Sequence, residues 1–356
     1  MRRHYQIMLS TSIRSARRVS GHGEEVSGSL LIGKLDIAEQ TFTVSRQLEL
    51  PQSPHLPGRR SVRGIARFAG GIAACNTSQL FLLDEETNRV RCIYSERRFG
   101  DIHSICPRNG TLYLTATASD CIIGVDQNFR KVSEWWAGSE KALKLYMRDW
   151  QRQRISADHD FRGDLNPGAR FHMNHVCFDD RGNMLVTLPG MSYREGKSRV
   201  YNVTRHEFLF GGRPIPGATR GRVHDGIALG SFYYLCRTAS GDFIKLERET
   251  GQLVGCVNCS TPLETTTGDP LALEHGWLRG AAHLDEEVFL VGQAKLRLFL
   301  VDMNSETRSQ PLRLIGADGD QEDPGLAIYC IAKAHALAPP AAGGRSQRDD
   351  GRSTVV

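Results

Sequence analysis

Short apolar runs separated by turn residues recur along most of the chain. Runs of this length that are rich in β-branched and aromatic residues predict strands rather than helices. Five segments share one layout, in which a polar residue opens a first strand, a turn follows, and a second and a third strand come after it. The repeats open at Arg63, His103, His175, His224 and Arg279.

The second and third strands give the repeat its regularity. The second strands are rich in good strand formers, and the third strands often end in an aspartate before a turn, as at Asp84, Asp126 and Asp302. Four-stranded repeats in a radial array are the architecture of a β-propeller. The second strands are predicted at residues 72–75, 112–115, 184–187, 232–235 and 288–291.

A sixth repeat is divided between the two ends of the chain. One strand comes from residues 326–332 and three come from residues 6–10, 29–33 and 42–45. A ring that is closed by strands from both ends leaves no open sheet edge. We therefore predict an all-β, six-bladed propeller that forms a single domain over residues 1–338. The tail at 339–356 is rich in Pro, Gly, Arg and Ser and is expected to be disordered.

One interval, residues 136–171, does not have the pattern of strands. Its first part, 139–151, has apolar residues at helical spacing, and Ser139 can cap that helix. The second part, 158–168, is a polar loop that leads into the third repeat. We expect this helical and loop insertion to lie over one face of the propeller as a lid. The apolar positions are Ala142, Leu143, Tyr146 and Trp150.

The polar opening residues fall at equivalent positions when the repeats are aligned on their turns. Four of them lie seven positions before Gly70, Gly110, Gly182 and Glu286, and His224 lies six positions before Gly230. The first strand of every propeller blade lines the central channel, so equivalent residues are predicted to form a ring. That ring consists of Arg63, His103, His175, His224, Arg279 and, from the divided blade, Tyr329.

Three kinds of chemistry are open to this ring. His103, His175 and His224 could together hold one divalent metal ion, which would suit metal-assisted lyase or hydrolase chemistry. Arg63 and Arg279 offer planar forks for a carboxylate, sulfate or phosphate group. The histidines, with Tyr329, could also act as general base or nucleophile.

The expected ligand is a small anionic molecule in every case, because two arginines face the pocket. Asp225 is the acid that the sequence places nearest to them, and we assign it to substrate binding. The second strands return to the same face of the propeller. Arg237, near the end of one of them, is therefore predicted at the rim as a further substrate-binding residue.

The segment Phe171-His-Met-Asn174, the run 182–185 and the segment Val223-His-Asp225 carry a family resemblance. They resemble the FHxN and HD segments of the arylsulfotransferase-type six-bladed propellers, which use a channel histidine as the transient sulfuryl acceptor. The resemblance implies that His172 and Asn174 belong to the substrate pocket and that His224 belongs to the histidine set. The layout is also similar to propeller lyases and lactonases that hold a metal in the channel, and to uncharacterised bacterial propellers with an HDG blade opening.

Composition narrows the function classes. The chain has 356 residues with a formal net charge of +5, which is spread over Arg-rich ends and indicates no nucleic-acid surface. No segment is long and apolar enough for a membrane helix, and no export signal is evident. The nine cysteines then fit reduced thiols in a cytoplasmic protein, with Cys256 and Cys259 forming a lone CxxC pair.

Two functions of different classes follow from these observations. The first is a propeller enzyme that acts on a small anionic substrate in its channel through the His, Arg and Tyr residues. The alternative is a non-catalytic propeller scaffold that binds a protein partner through its loops.

Overall fold

The computed structural model describes residues 4–13, 29–50, 61–87, 89–144, 159–163, 171–189, 197–218, 223–238, 240–259, 278–293, 297–304, 310–316, 319–320 and 326–334. The described residues are mostly strands. The chain begins with β1 (His4–Ile13), β2 (Ser29–Asp36) and β3 (Thr41–Glu49).

Four separate antiparallel sheets of four strands follow, one for each of blades 1 to 4. Blade 1 contains β4 (Gly64–Phe68), β5 (Gly71–Cys75), β6 (Leu80–Leu83) and β7 (Val90–Tyr94). Blade 2 contains β8 (Ile102–Arg108), β9 (Thr111–Ala116), β10 (Cys121–Val125) and β11 (Lys131–Trp136). Blade 3 contains β12 (His175–Phe178), β13 (Met184–Leu188), β14 (Arg199–Asn202) and β15 (Glu207–Phe208). Blade 4 contains β16 (Val223–Leu229), β17 (Phe232–Arg237), β18 (Asp242–Glu247) and β19 (Leu253–Asn258).

Blades 5 and 6 share one larger sheet. Blade 5 contains β20 (Ala281–Asp285), β21 (Val288–Gly292), β22 (Leu298–Asp302) and β23 (Gln310–Gly316), and the two-residue β24 (Gly319–Asp320) pairs with β23. Blade 6 contains β25 (Leu326–Ala334) as its inner strand, followed outward by β1, β2 and β3. The outer strands β23 and β3 pair in parallel and join the two blades. The predicted closure by one C-terminal and three N-terminal strands is confirmed.

The blades are arranged in a closed ring. The inner strands contact one another in the order β4, β8, β12, β16, β20, β25 and back to β4. Six hydrophobic clusters fill the spaces between neighbouring blades, and the cluster between blades 6 and 1 closes the series. This is the all-β propeller that the repeat pattern predicts.

Within a blade, the middle strands are more buried than the outermost strand. The strands β5, β10 and β21 are buried at every position, because both of their faces pack against neighbouring blades. The outer strands β7, β11 and β19 have several exposed positions, because their edge meets solvent. Removing apolar surface from water, worth about 25 cal/mol per Å², is the main force that holds the blades together.

The turns between first and second strands explain why the repeats could be aligned. Gly70, Gly110, Gly182 and Gly230 have φ values of 70°, 73°, 83° and 50°, and Glu286 has 44° at the matching turn. Glycine adopts this left-handed conformation without the Cβ clash that other residues meet there. The recurring glycine therefore marks a backbone requirement shared by the blades.

The insertion is described only in part. A 3-10 turn at Ala137–Ser139 leads into α1 (Lys141–Lys144), where Leu143 is buried. The rest of the predicted helix, most of the predicted loop and the predicted disordered tail lie outside the described residues. No helix among the described residues has the length and apolar character needed to span a membrane.

All nine cysteines are free thiols in the structure. The CxxC pair lies at the end of β19, where Cys256 is exposed and Cys259 is buried. The guanidinium Nη2 of Arg237 contacts the Cys256 sulfur at 3.6 Å. The two thiols of the pair thus have different surroundings.

Candidate functional site

Three side chains from two of the innermost strand regions form a hydrogen-bonded line. The Tyr329 hydroxyl lies 2.7 Å from Nδ1 of His103, and Nε2 of His103 lies 3.1 Å from the Asp101 carboxylate. A carboxylate only accepts hydrogen bonds, so Nε2 of neutral His103 carries the ring proton and Nδ1 accepts from Tyr329. Blade 6 supplies the tyrosine, and blade 2 supplies the histidine and the aspartate.

Two arginines flank the tyrosine ring. The guanidinium carbon of Arg279 lies 4.4 Å from the ring centroid of Tyr329, and that of Arg63 lies at 5.5 Å. Arg63 also forms a buried ion pair with Asp101. The same carboxylate therefore holds both Arg63 and His103, and it fixes their positions relative to Tyr329.

His224 lies on the other side of His103. The two rings are stacked, with centroids 6.4 Å apart and an interplanar angle of 18°. Nε2 of His224 accepts a hydrogen bond from Arg279, so its Nδ1 carries the proton and donates to the Thr238 hydroxyl at 2.6 Å. These bonds set the tautomer of His224 from both sides.

His172 completes the cluster from the end of the insertion. Its ring centroid lies 5.2 Å from that of His103, and its backbone has a φ of 48°. Residues on either side anchor it, because the Phe171 N–H donates to Asp120 and the Met173 carbonyl accepts from Thr117. A strained backbone held in this way is common where a side chain must be kept in place.

His175 lies nearer to its hairpin turn than His103 does to its own, so the two residues are not equivalent in strand register. His175 interacts with the Asp225 carboxyl group, with the backbone of Gly226 and with His224, whose pKa it helps to lower, while the histidine that packs against His103 is His172. We name the six clustered residues Arg63, Asp101, His103, His224, Arg279 and Tyr329, together with His172, the channel cluster.

Turn length explains the displacement of His175. Only residues 109–110 separate the paired ends of the hairpin in blade 2, whereas residues 179–183 separate them in blade 3. The position seven residues before Gly182 is therefore closer to its hairpin turn than the position seven residues before Gly110. In addition, β8 and β16 contain a register shift just after His103 and His224, and β12 has none. A bulge re-aims the side chains beyond it.

The remaining predicted residues lie around the cluster with partners of their own. The Asp225 carboxylate accepts from the backbone N–H of Gly280 at 2.9 Å and links blades 4 and 5. Arg237 donates to the Asp242 carboxylate at 2.5 Å and to the Pro216 carbonyl at 3.2 Å. Asn174 is buried, and its amide nitrogen donates to the Val223 carbonyl at 2.9 Å.

Burial controls the ionisation of the channel cluster. Burial lowers the pKa of His103 to about 4 and that of His172 to about 3, and it lowers the pKa of His224 far below its usual value. The histidines are therefore neutral at neutral pH. Burial acts to raise the pKa of Asp101, but Arg63 and His103 outweigh it and the pKa falls well below its ordinary range.

Opposing effects act on the pKa of the Tyr329 hydroxyl group. Burial raises the pKa of Tyr329, and the charges of Arg279 and Arg63 oppose that effect. The pKa of Asp225 is also raised by its burial. The site thus combines two guanidinium groups with one firmly ionised carboxylate, and this balance favours an anionic ligand.

The hydrogen bonds of the histidine ring nitrogens compete with the binding of the divalent metal ion that the sequence predicts. Within the described ranges, no group of three His, Cys, Asp or Glu side chains is placed to hold a metal ion. Both ring nitrogens of His103 and both of His224 take part in hydrogen bonds to protein groups. A metal would need a lone pair that these bonds already use.

Sequence reasoning missed Asp101 and Thr238. Asp101 lies two residues before His103 and has a φ of 49°. A non-glycine residue in that conformation leaves no mark in a hydrophobic pattern, although Asp and Asn are the residues that tolerate it best. Thr238 gives no signal for a different reason, since hydroxyl residues at strand ends are common.

The fold is a β-propeller, and the channel cluster gathers polar side chains from its inner strands. No family model and no curated protein matches the chain. Among solved structures, the chain is similar to a protein of unknown function from Bacteroides caccae, with 12% identity, 93% of this chain and 100% of that chain covered, and a TM-score of 0.49. It is also similar to a virginiamycin B lyase from Staphylococcus aureus, with 10% identity, coverage of 74% and 72%, and a TM-score of 0.43.

Proposed function

We propose that this propeller is an enzyme of the lyase type that removes a proton from a small carboxylate bound in its channel. The observation that carries the proposal is the hydrogen bond from Tyr329 to His103, which Asp101 orients from the far side of the imidazole. Hydroxyl, imidazole and carboxylate in a line are the arrangement that activates a hydroxyl group for catalysis.

The proton balance of the step follows from the tautomers. A proton on the carbon next to the carboxylate moves to the phenolic oxygen of Tyr329, as the phenolic proton moves to Nδ1 of His103. The resulting imidazolium is stabilised by the Asp101 carboxylate. The electron pair of the broken C–H bond forms a double bond within the substrate and expels a leaving group from the adjacent carbon.

Arg279 is the residue best placed to hold the substrate carboxylate. It lies over the Tyr329 ring, hydrogen-bonds the Tyr329 hydroxyl group and donates to His224, so its planar fork is held beside the phenolic oxygen. An anion at this guanidinium also offsets the positive charges that help to lower the pKa of His103. Substrate binding would then make His103 a better proton acceptor at the moment that it is needed.

Histidine-mediated group transfer receives less support from the same geometry. A nucleophilic histidine must present a nitrogen lone pair to the group that it accepts. In His103 that lone pair accepts from Tyr329, and in His224 it accepts from Arg279. General acid–base chemistry uses these hydrogen bonds, whereas group transfer would have to break them.

The test is turnover of small carboxylates that carry a leaving group on the carbon β to the carboxylate. The purified protein is incubated with a pool of such acids, and mass spectrometry follows their loss and the appearance of unsaturated products. Tyr329→Phe keeps the ring beneath Arg279 and removes only the hydroxyl, so we expect turnover to fall by about 10²–10⁴-fold.

Tyr113→Phe is the matched control, because Tyr113 packs against Phe178 between blades 2 and 3. It should turn over substrate as the wild type does. Turnover that survives in Tyr329→Phe, or a pool of acids that the wild type leaves unchanged, would contradict the proposal.

The scaffold alternative has no comparable observation in its favour. Among the described residues, the exposed large apolar side chains are Ile93, Val132, Leu253 and Val254. They lie on the outer strands of three different blades. Single exposed apolar residues are normal on soluble surfaces and do not define a docking site.

A further inference from the structure

Two buried amide side chains next to the channel cluster have polar atoms without a hydrogen-bond partner. Gln293 is 1% exposed, and both its Oε1 and its Nε2 are unpaired. Asn174 is 3% exposed, and its Oδ1 is unpaired although its nitrogen donates to Val223. Buried polar atoms nearly always find a partner, and each exception needs an explanation.

Gln293 lies at the junction of the two strands that position Tyr329 and Arg279. Its backbone carbonyl accepts from the N–H of Ile328, the residue before Tyr329, at 3.3 Å. The preceding carbonyl, that of Gly292, accepts from the N–H of Arg279 at 2.9 Å. The backbone of Gln293, whose side chain is buried, is therefore directly linked to the segments that carry the tyrosine and the arginine of the proposed anion site.

Asn174 lies near the cluster where blades 3 and 4 meet. It follows His172 by two residues, and its N–H bonds the Thr187 carbonyl while its side chain bonds the carbonyl just before His224. Its unpaired oxygen can only accept a hydrogen bond. The two unpaired amides thus belong to blades 3 and 5.

We propose that the substrate, in addition to its carboxylate group, carries hydroxyl or N–H groups that pair with Gln293 and Asn174. This inference rests on the proposed function, because it places the anionic group at Arg279. The Asn174 oxygen requires a donor, and the Gln293 amide requires a donor and an acceptor. A hydroxyl group supplies both, so small hydroxycarboxylates are the class that satisfies the site.

The same requirement separates this class from simple oxyanions. Sulfate and unsubstituted carboxylates offer acceptors only, and they leave the Asn174 oxygen unpaired when they bind. A site built to hydrogen-bond a substrate hydroxyl discriminates strongly against an analogue without it, because the buried polar groups of the site are then left without partners.

Isothermal titration of the full chain with matched acids tests the inference. The probes are glycerate against propionate and tartrate against succinate, since the members of each pair have the same charge and chain length. For the wild type we expect the hydroxylated acid to bind at least about tenfold more tightly than its partner, from the hydrogen bonds alone.

Gln293→Leu and the length-matched Gln293→Met remove the unpaired amide. Each should reduce the affinity ratio towards one and leave the affinity for propionate and succinate unchanged. The melting temperature of the free protein should rise, since replacing an unpaired buried amide by an apolar group removes a desolvation cost. A purely structural glutamine would not change the ratio.

Gln79→Leu is the matched control, because Gln79 is a buried glutamine that accepts a hydrogen bond from Asn76 at 3.1 Å. It should lower the melting temperature and keep the wild-type ratio. Equal binding of both acids by the wild type, or a ratio that both Gln293 variants preserve, would overturn this inference and leave the proposed function in place. Binding of neither acid would instead overturn the proposed function and the inference with it.

Discussion

The Tyr329 hydroxyl donates a 2.7 Å hydrogen bond to Nδ1 of His103, across 226 positions of the chain. The two residues belong to blades 6 and 2, which are separated around the ring by blade 1. The bond can therefore form only when the ring has closed. Closure of the propeller therefore completes the channel cluster.

The buried carboxylate of Asp101 should be a main source of stability in the channel. Asp101→Asn removes the partner of Arg63, whose side chain is almost fully buried. Leaving a buried charge without its partner costs about 3–5 kcal/mol, so we expect the free energy of unfolding in urea to fall by that amount.

Asp160→Asn provides the matched control, because Asp160 pairs with Arg162 where the side chains are 44% and 31% exposed. An exposed pair of this kind contributes less than about 1 kcal/mol. Equal losses in the two variants would show that Asp101 does not stabilise the channel through its ion pair.

The closing strand β25 should be as well packed as any other inner strand. Ile328→Ala creates a cavity in the cluster between blades 5 and 6, where Ile328 is fully buried, and should cost about 2–5 kcal/mol. Ile93→Ala makes the same change at a position that is 50% exposed and should stay within about 0.5 kcal/mol of the wild type. Chemical denaturation of both variants decides whether β25 is firmly docked.

The aligned turns should respond in opposite directions to exchange of glycine. In Gly70→Ala the added Cβ would meet no atom within 4 Å, so the expected loss of about 1 kcal/mol reflects only the φ of 70°. Glu286→Gly relieves the same strain at a φ of 44° and should raise the free energy of unfolding by a similar amount. A loss of stability in Glu286→Gly would contradict this account.

The neutral histidines should make the fold sensitive to acid. In the unfolded chain an ordinary histidine has a pKa of about 6.5, whereas burial lowers the pKa of His103 to about 4 and that of His172 to about 3. Between these limits the unfolded chain binds protons that the folded chain does not. The stabilisation is complete above pH 6.5 and is lost as the pH falls towards 4, by up to about 1.4 kcal/mol per histidine and pH unit.

Urea unfolding at pH 7.5, 6.5, 5.5 and 4.5 measures this slope. His172→Asn removes one of the titrating groups, so its free energy of unfolding should fall less steeply than that of the wild type below pH 6.5. An unchanged slope would show that His172 is protonated in the folded chain over the same range as in the unfolded chain.

Most of the channel cluster could be predicted from repeated positions in the sequence. Arg63, His103, His224, Arg279 and Tyr329 lie close together because each belongs to an inner strand or immediately precedes one. His172, which the resemblance in the segment 171–174 assigned to the substrate pocket, lies beside His103, and its assignment to a pocket stays a prediction. Asp101 could not be predicted, because its side chain is aimed by a left-handed backbone just outside the strand pattern.

The sequence by itself determined the strands, the four-stranded repeat and the closure by both ends of the chain. These follow from local periods of apolar residues and from turn glycines, which act over a few neighbouring residues. Only the tertiary structure decided that His172 and not His175 joins His103, that Arg237 pairs with Asp242, and that Asp225 ties two blades together. Hairpin length and strand bulges set these placements, because a change of one residue in register turns a side chain to the opposite face.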